Sequence, residues 1–193
     1  GTMAISIGML LSALAMTWHL VHFHYVKFNK ESMYEVSKKI ILLCIPLLLS
    51  AQFIAGILNE ALDLTDTNQE LFISMSHNIF GVLSIAIVVP ILEEVLFRGA
   101  IEGHLLRKGW SPKWAILVSA LIFGIIHGNP AQIPFAFLIG LLFGWLYYRT
   151  GSLVPGIVGH IINNSFGAWT MFTATREELS QTTMETLGTT ITY

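Results

Sequence analysis

Long apolar stretches separated by short polar connections run along most of the chain. Six stretches approach or exceed the roughly 20 helical residues that cross a bilayer, and they cover 4–24, 40–59, 71–100 (extending towards 106), 113–128, 131–148 and 152–173. The pattern predicts an all-α polytopic membrane protein with about six transmembrane helices. Segment 1–70 would hold the first two spans and their loops, 71–173 a four-helix core around a polar cavity, and 174–193 a polar C-terminal tail.

The composition supports a membrane protein. Of the 193 residues, 54% are hydrophobic and 11% are charged, whereas a soluble domain carries about 25% charged residues. We therefore expect an integral, multi-pass protein of the cell membrane with the lipid bilayer as a partner. The net charge of -2 argues against nucleic acid as a partner, because nucleic-acid-binding domains carry basic surfaces.

Basic residues gather at alternate connections, and this distribution predicts orientation because cytoplasmic loops are enriched in lysine and arginine. The basic connections are flanked by Lys27, Lys30, Lys38, Lys39, Arg107, Lys108, Lys113 and Arg149. The connection after the second span instead carries Glu60, Asp63, Asp66 and Glu70. We predict that the basic connections are cytoplasmic and that the acidic connection and both termini are external.

Ionisable side chains lie inside the apolar stretches, where each costs about 2.5–3.5 kcal/mol on insertion scales and marks a functional candidate. The set comprises Glu93, Glu94, Arg98, His127 and His160, with Asn163 and Asn164 one turn after His160. Glu94 and Arg98 are four residues apart on one helix face, so we predict that they pair. Glu93 points about 100° away from that face and has no obvious partner on its own helix.

The depths of these side chains match across helices. Glu93 precedes the basic boundary at Arg107 by 14 residues, and His127 follows Lys113 by 14 residues. At 1.5 Å per residue, both lie about 21 Å from that boundary, and His160 lies roughly 15 Å in. We expect the carboxylate and the two imidazoles to meet in a water-containing cavity, since unsatisfied polar groups are tolerated in the bilayer only inside protein or beside water.

Three motifs carry these residues: EEVLFR at 93–98, FGIIH at 123–127 and HIINN at 160–164. They match the patterns EExxxR, FxxxH and HxxxN. In this order, within four apolar spans, they resemble the CPBP (CAAX protease and bacteriocin-processing, or Abi) family of intramembrane endopeptidases. The resemblance covers about residues 80–170. Relatives often have about eight spans, whereas six are visible here, so the helices before the core differ.

The resemblance implies hydrolysis of a peptide bond inside the membrane. Glu93 and His127 would activate a water molecule, His160 and Asn164 would bind the oxyanion, and Glu94 with Arg98 would orient the first pair. A carboxylate kept from bulk water is an effective general base, and N–H donors suit a developing oxyanion. The substrate would be a membrane-embedded or membrane-associated peptide, either a lipidated CAAX-like protein or a bacteriocin-type peptide.

Two mechanisms share these residues. Glu93, His127 and His160 could complete a catalytic zinc site with water in the fourth position, but HExxH is absent and each ligand would come from a different helix. We prefer a metal-free glutamate mechanism that requires no cofactor. A nucleophilic mechanism is rejected, because no carboxylate is placed to orient a histidine base near Ser165, and Cys44 is distant in sequence from the motifs.

Two functions outside proteolysis are alternatives. A membrane scaffold or immunity protein could retain the fold and bind a partner, although intact motifs favour the enzyme. A proton-coupled transporter could also use buried glutamate and histidine. Transporters more typically contain repeated halves, and no internal repeat is visible in this sequence.

Overall fold

A computed structural model describes residues 1–26, 33–34, 36–181, 185 and 188 of the chain. Within these residues every regular element is helical. The helices are α1 (Thr2–His22), α2 (Lys38–Ala61), α3 (Gln69–Ser76), α4 (Ile79–Arg107), α5 (Pro112–Ile126), α6 (Ile133–Thr150), α7 (Val154–Thr173) and α8 (Arg176–Ser180). The prediction of an all-α protein is confirmed.

The outer surface of the helices is apolar, as expected for a protein surrounded by lipid rather than water. In α2, for example, Leu42, Leu43 and Leu49 are each more than 60% exposed. Helices α1, α2, α4 and α6 are long and apolar enough to cross a membrane, whereas α5 has 15 residues. The chain is therefore an integral membrane protein, and the count of six spans stays a prediction.

The predicted third span, 71–100, is wrong at its start, because the chain breaks there into α3 and α4 around His77 and Asn78. The Asn78 backbone is extended, and its side chain accepts a hydrogen bond from Gly81 N at 2.7 Å, which caps α4. Gly81 is needed at this corner, because a Cβ there would lie 2.1 Å from Met75 O. The asparagine cap and the close backbone approach thus divide the apolar stretch at its polar residues 74–78.

Helix α4 runs continuously to Arg107, but two of its stretches, Ser84–Val88 and Val95–Glu102, are π-helical. In the first stretch the Val89 N–H donates to Ser84 O, five residues earlier. The same register would make residue 90 the donor to Ile85 O, but Pro90 has no N–H. The Ile85 carbonyl is consequently left for a partner outside the helix. Such π-helical segments are frequent at functional sites.

The interior is built around aromatic rings and short contacts between helices. Phe97 of α4, Phe123 of α5 and Phe143 of α6 are at most 2% exposed and belong to one hydrophobic cluster. Helices α5 and α6 form a hairpin whose turn includes Gly128 at φ +62°, a conformation that favours glycine. Ser119 Oγ donates to Phe97 O at 2.9 Å and thereby ties α5 to α4.

The first two helices pack against the rest of the bundle. Helix α1 contacts α4, and Ser84 Oγ of α4 donates to Ser6 O of α1 at 2.9 Å. Helix α2 contacts α6 and α7. The division at residue 70 and the membrane orientation stay predictions. Lys27 and Lys30, on which the orientation partly rests, lie outside the described residues. Most of 182–193, in the predicted tail, also lies outside them.

Candidate active site

The centre of the site is an ion-paired network between α4 and α7. Arg98 Nη1 lies 3.1 Å from Glu94 Oε1, and both side chains are 1% exposed. The pairing of Glu94 with Arg98 is therefore confirmed. His160 Nδ1 lies 3.0 Å from the same Glu94 oxygen. Because a carboxylate paired with arginine accepts hydrogen bonds, Nδ1 of His160 is the donor, and Glu94 fixes the orientation of this imidazole.

Arg98 is enclosed by aromatic rings and one carbonyl. Its guanidinium carbon lies 4.5 Å from the centroid of Phe123 and 5.7 Å from that of Phe143. Nη2 donates to Gly140 O at 3.3 Å. The ring faces attract the cation in a site without bulk water, so the arginine is held in place from α5 and α6 while it neutralises Glu94.

Glu93 contacts the other nitrogen of His160. Its Oε2 lies 3.4 Å from His160 Nε2, and its side chain is 20% exposed. The expectation that Glu93 has no obvious partner holds for its own helix, but α7 supplies a partner. His160 thus stands between two carboxylates, with Nδ1 towards Glu94 and Nε2 towards Glu93. In the described chain, Glu94 contacts this imidazole and Arg98 rather than His127.

His127 follows the last residue of α5 and has a defined tautomer. Its Nδ1 lies 2.7 Å from Phe123 O, and since a carbonyl oxygen can only accept, Nδ1 carries the proton. In the neutral ring, Nε2 then has the lone pair and can accept a proton or a hydrogen bond. The Phe123 ring contacts both imidazoles edge-on, at 4.9 Å from His127 and 5.8 Å from His160.

The amides of α7 complete the site. Asn164 Nδ2 donates to Ile85 O at 2.9 Å, which is the carbonyl that Pro90 leaves without an intrahelical donor. Asn163 Nδ2 donates to Asn164 Oδ1 at 3.1 Å. Because Pro90 leaves Ile85 O without a donor in α4, this carbonyl can hold the side-chain amide of Asn164 in place. The second N–H of that amide is left for a ligand.

A cavity of about 610 Å³ connects these side chains. Its wall includes Glu93, His127, His160, Asn163 and Asn164. Helices α1 and α2 close the cavity through Met9, Gln52 and Ala55 among others. The structure thus places Glu93, His127, His160 and Asn164 around one cavity, with Glu94 and Arg98 buried behind it, and the segment before residue 70 contributes to the wall.

A second buried carboxyl group on α4 was not among the predicted site residues. Glu102 is fully buried, and neither of its oxygens has a hydrogen-bond partner among the described residues. A Cβ on Gly144 would lie 2.6 Å from Glu102 Oε2, so this glycine leaves space for the carboxyl group. The signal was present in the spacing, because Glu94, Arg98 and Glu102 recur every four residues along one face of α4.

Gly156 leaves space for Glu94 in the same way, because a Cβ there would lie 2.6 Å from Glu94 Oε2. We expect Gly156→Ala to lower the free energy of unfolding by about 1–3 kcal/mol, the usual cost of overpacking. On the same helix, a Cβ added to Gly167 would have no atom within 4 Å. Gly167→Ala should therefore raise stability by about 0.5–1 kcal/mol. Unfolding of both variants in mixed micelles measures the difference, and equal effects would contradict the steric argument.

The arrangement does not supply the three ligands of a catalytic zinc site. No group of three histidine, cysteine, aspartate or glutamate side chains among the described residues is placed to hold a metal ion. Glu93, His127 and His160 are therefore not gathered as three ligands of one metal ion within the described residues.

These helices and side chains define a class of protein, namely a helical membrane protein with carboxylates, imidazoles and amides around an internal cavity. Comparison with known families specifies it further. Residues 75–166 match the family model described as type II CAAX prenyl endopeptidase Rce1-like. This segment contains all three motifs, so the predicted resemblance to the CAAX protease family is confirmed.

Three relatives overlap with the chain. MroQ, a membrane-embedded CAAX protease of Staphylococcus aureus (strain USA300), is 33% identical over 106 residues, which are 52% of this chain and 42% of that protein. YdiL, a putative membrane peptidase of Bacillus subtilis (strain 168), is 38% identical over 81 residues, which are 42% of this chain and 33% of that protein. The UPF0177 protein YxdF of Lactococcus lactis subsp. lactis (strain IL1403) is 28% identical over 122 residues, 63% of each chain.

The chain thus spans between one third and just under two thirds of the length of these relatives. No solved structure matches it.

Proposed function

We propose that this protein is an intramembrane endopeptidase that hydrolyses a peptide bond of a membrane-embedded or membrane-associated peptide. The observation that carries the proposal is the position of His160 between Glu93 and Glu94, beside the cavity that His127 and Asn164 also line. The match of residues 75–166 to a family of endopeptidases supports the same activity.

The catalytic water would be activated by Glu93. Its carboxylate lies at the cavity wall and can accept one proton from water, while the lone pair on His127 Nε2 accepts a hydrogen bond from the hydrogen that stays on the oxygen and orients it for attack. The water oxygen bonds to the peptide carbon, the C–N bond breaks, and the proton on Glu93 passes to the leaving amine. Water and peptide thereby yield one carboxylic acid and one amine.

The oxyanion of the intermediate would be bound by His160 and Asn164. Asn164 has one N–H on Ile85 O and a second N–H for the substrate. With a proton on Nε2, His160 would donate to the oxyanion from that nitrogen, because Nδ1 already donates to Glu94. Donors held in place before the reaction stabilise developing charge without reorganisation. Glu94 and Arg98 are positioning residues, because they orient His160 from behind the cavity.

We propose further that hydrolysis requires no metal ion. We expect full activity after exhaustive chelation, and elemental analysis of the active protein should find less than stoichiometric zinc. Loss of activity on chelation, with recovery when zinc is added back, would contradict this part of the proposal and leave the hydrolytic function intact.

The activity itself is tested with the purified chain in liposomes and a panel of membrane peptides that includes prenylated and unmodified sequences. We expect two product peptides, with one ¹⁸O atom from labelled water in the new carboxyl group. The isotope distinguishes hydrolysis by this chain from peptides that were already cleaved before the assay. Binding of peptides without any ¹⁸O-labelled product across the panel would favour the scaffold or immunity function.

A further inference from the structure

The cavity extends from Glu93 to the connection between α2 and α3, the connection predicted to be external. Here its wall changes from apolar side chains to amides and one carboxylate. We call this region the outer subsite; its residues are Asn59, Asp66, Asn68 and Gln132. Among the described residues that line the cavity, the carboxylates are Asp66 and Glu93, and there is no lysine or arginine.

Hydrogen bonds attach the outer subsite to the turn that carries His127. Asn129 is fully buried two residues after His127, and its Nδ2 donates to Asp66 Oδ1 at 2.7 Å. Its Oδ1 accepts from Thr67 N at 3.1 Å. Asn59 Nδ2 donates to Ala131 O of the same turn at 2.8 Å. Asp66 is therefore held at a fixed position relative to His127, close to the residues proposed to act on the peptide bond.

The side chains of the outer subsite have a defined chemistry. Asp66 Oδ1 accepts from Asn129 Nδ2 and, at 2.9 Å, from Asn68 N, and within the described chain all the hydrogen bonds to Asp66 use this oxygen. Oδ2 is left for a ligand. Side-chain amides have both donors and an acceptor, so Asn59, Asn68 and Gln132 suit the N–H and C=O groups of an extended peptide.

We propose that the outer subsite binds a lysine or arginine side chain of the substrate, a few residues from the scissile bond, with the amides contacting the adjacent peptide backbone. This inference rests on the proposed endopeptidase function and specifies its substrate class. A cationic residue pairs with Asp66, whereas an acidic residue meets Asp66 and Glu93 with no lysine or arginine in the described cavity wall. The enzyme therefore selects against acidic residues at this position.

The test uses peptides that are identical except for lysine, glutamine or glutamate, placed in turn at each position near the cleaved bond. At one position, the wild type should show a kcat/KM about tenfold higher for lysine than for glutamate, since pairing and repulsion each contribute a few-fold. Asp66→Asn keeps the Oδ1 acceptor and should bring the ratio close to one, mainly through KM. Asp66→Lys should invert it.

Asp63→Asn is the matched control, because Asp63 is an exposed carboxylate of the same connection that does not line the cavity. It should leave the wild-type ratio unchanged. An equal lysine preference in wild type and Asp66→Asn would overturn the subsite while the proposed hydrolysis stands. A preference lost equally in Asp63→Asn and Asp66→Asn would also overturn it, because general attraction by the connection would then explain the result.

Peptide affinities in the Glu93→Gln background keep this test independent of hydrolysis. If no peptide is cleaved, the proposed function fails, and the subsite is then judged by binding alone. Tighter binding of the lysine peptide that disappears on adding Asp66→Asn supports the subsite. Equal affinities for the lysine and glutamate peptides refute it.

Discussion

Replacing Glu93 with glutamine will lower kcat by about 10²–10⁴-fold, the range that a general base contributes. Glutamine has nearly the same shape as glutamate and can still contact His160 Nε2, which lies 3.4 Å from the Glu93 carboxylate. It cannot take a proton from water. KM and the free energy of unfolding should change little, because Glu93 is 20% exposed at the cavity wall rather than enclosed in the core. Steady-state kinetics in liposomes and unfolding in micelles measure both effects.

Glu177→Gln provides the control for this change. Glu177 is an exposed carboxylate in the first turn of α8, outside the cavity wall. The control should retain the wild-type kcat. A Glu93→Gln variant with more than a tenth of the wild-type kcat would show that Glu93 is not the base, and the neighbouring imidazoles would then have to take the proton.

Replacing Arg98 with methionine will lower the free energy of unfolding by about 3–5 kcal/mol, which is the effect of removing one partner from a buried ion pair. The substitution leaves the Glu94 carboxylate, which is 1% exposed, without its cation at 3.1 Å. Methionine can occupy much of the space between Phe123 and Phe143 that the guanidinium fills. Lost charge pairing should therefore dominate over lost packing. Equilibrium unfolding in mixed micelles measures the change.

Two comparisons isolate the buried charge. The double variant Glu94→Gln, Arg98→Met removes both charges and should recover part of the lost stability. Arg176→Met breaks an ion pair with Glu70 in which both side chains are more than two-thirds exposed. It should leave stability nearly unchanged, because exposed pairs contribute little. Equal losses from Arg98→Met and Arg176→Met would show that burial of the Glu94–Arg98 pair is not the cause.

Much of the helical framework follows from periodicity and composition alone. The apolar stretches at 40–59 and 131–148 correspond to Lys38–Ala61 and Ile133–Thr150, because a helix in lipid has to satisfy its backbone within one continuous segment. The prediction was wrong at 74–78, SMSHN, where a cluster of polar residues interrupts the apolar pattern. Asn78 caps a new helix there, and its position directly after Ser76 and His77 was a signal for the break that the hydropathy pattern outweighed.

Contacts along one helix were also predictable. Glu94 and Arg98 pair because a separation of four residues brings side chains together on any α-helix. Glu102 could have been found by the same spacing. The buried carboxyl groups additionally need Gly144 and Gly156 on other helices, and the sequence does not show which glycine faces which carboxyl group.

The sequence by itself thus determined that the protein is a helical membrane protein, which residues bear the three motifs, and that Glu94 pairs with Arg98. These features depend on the helical spacing of residues along the chain and on the cost of placing charged side chains in lipid. Tertiary structure alone decided that His160 lies between two carboxylates, that Asn164 binds the carbonyl left open by Pro90, and that Asp66 joins the cavity wall. The physical reason is that such contacts depend on the rotation and tilt of packed helices, which are set by the side chains of both partners together.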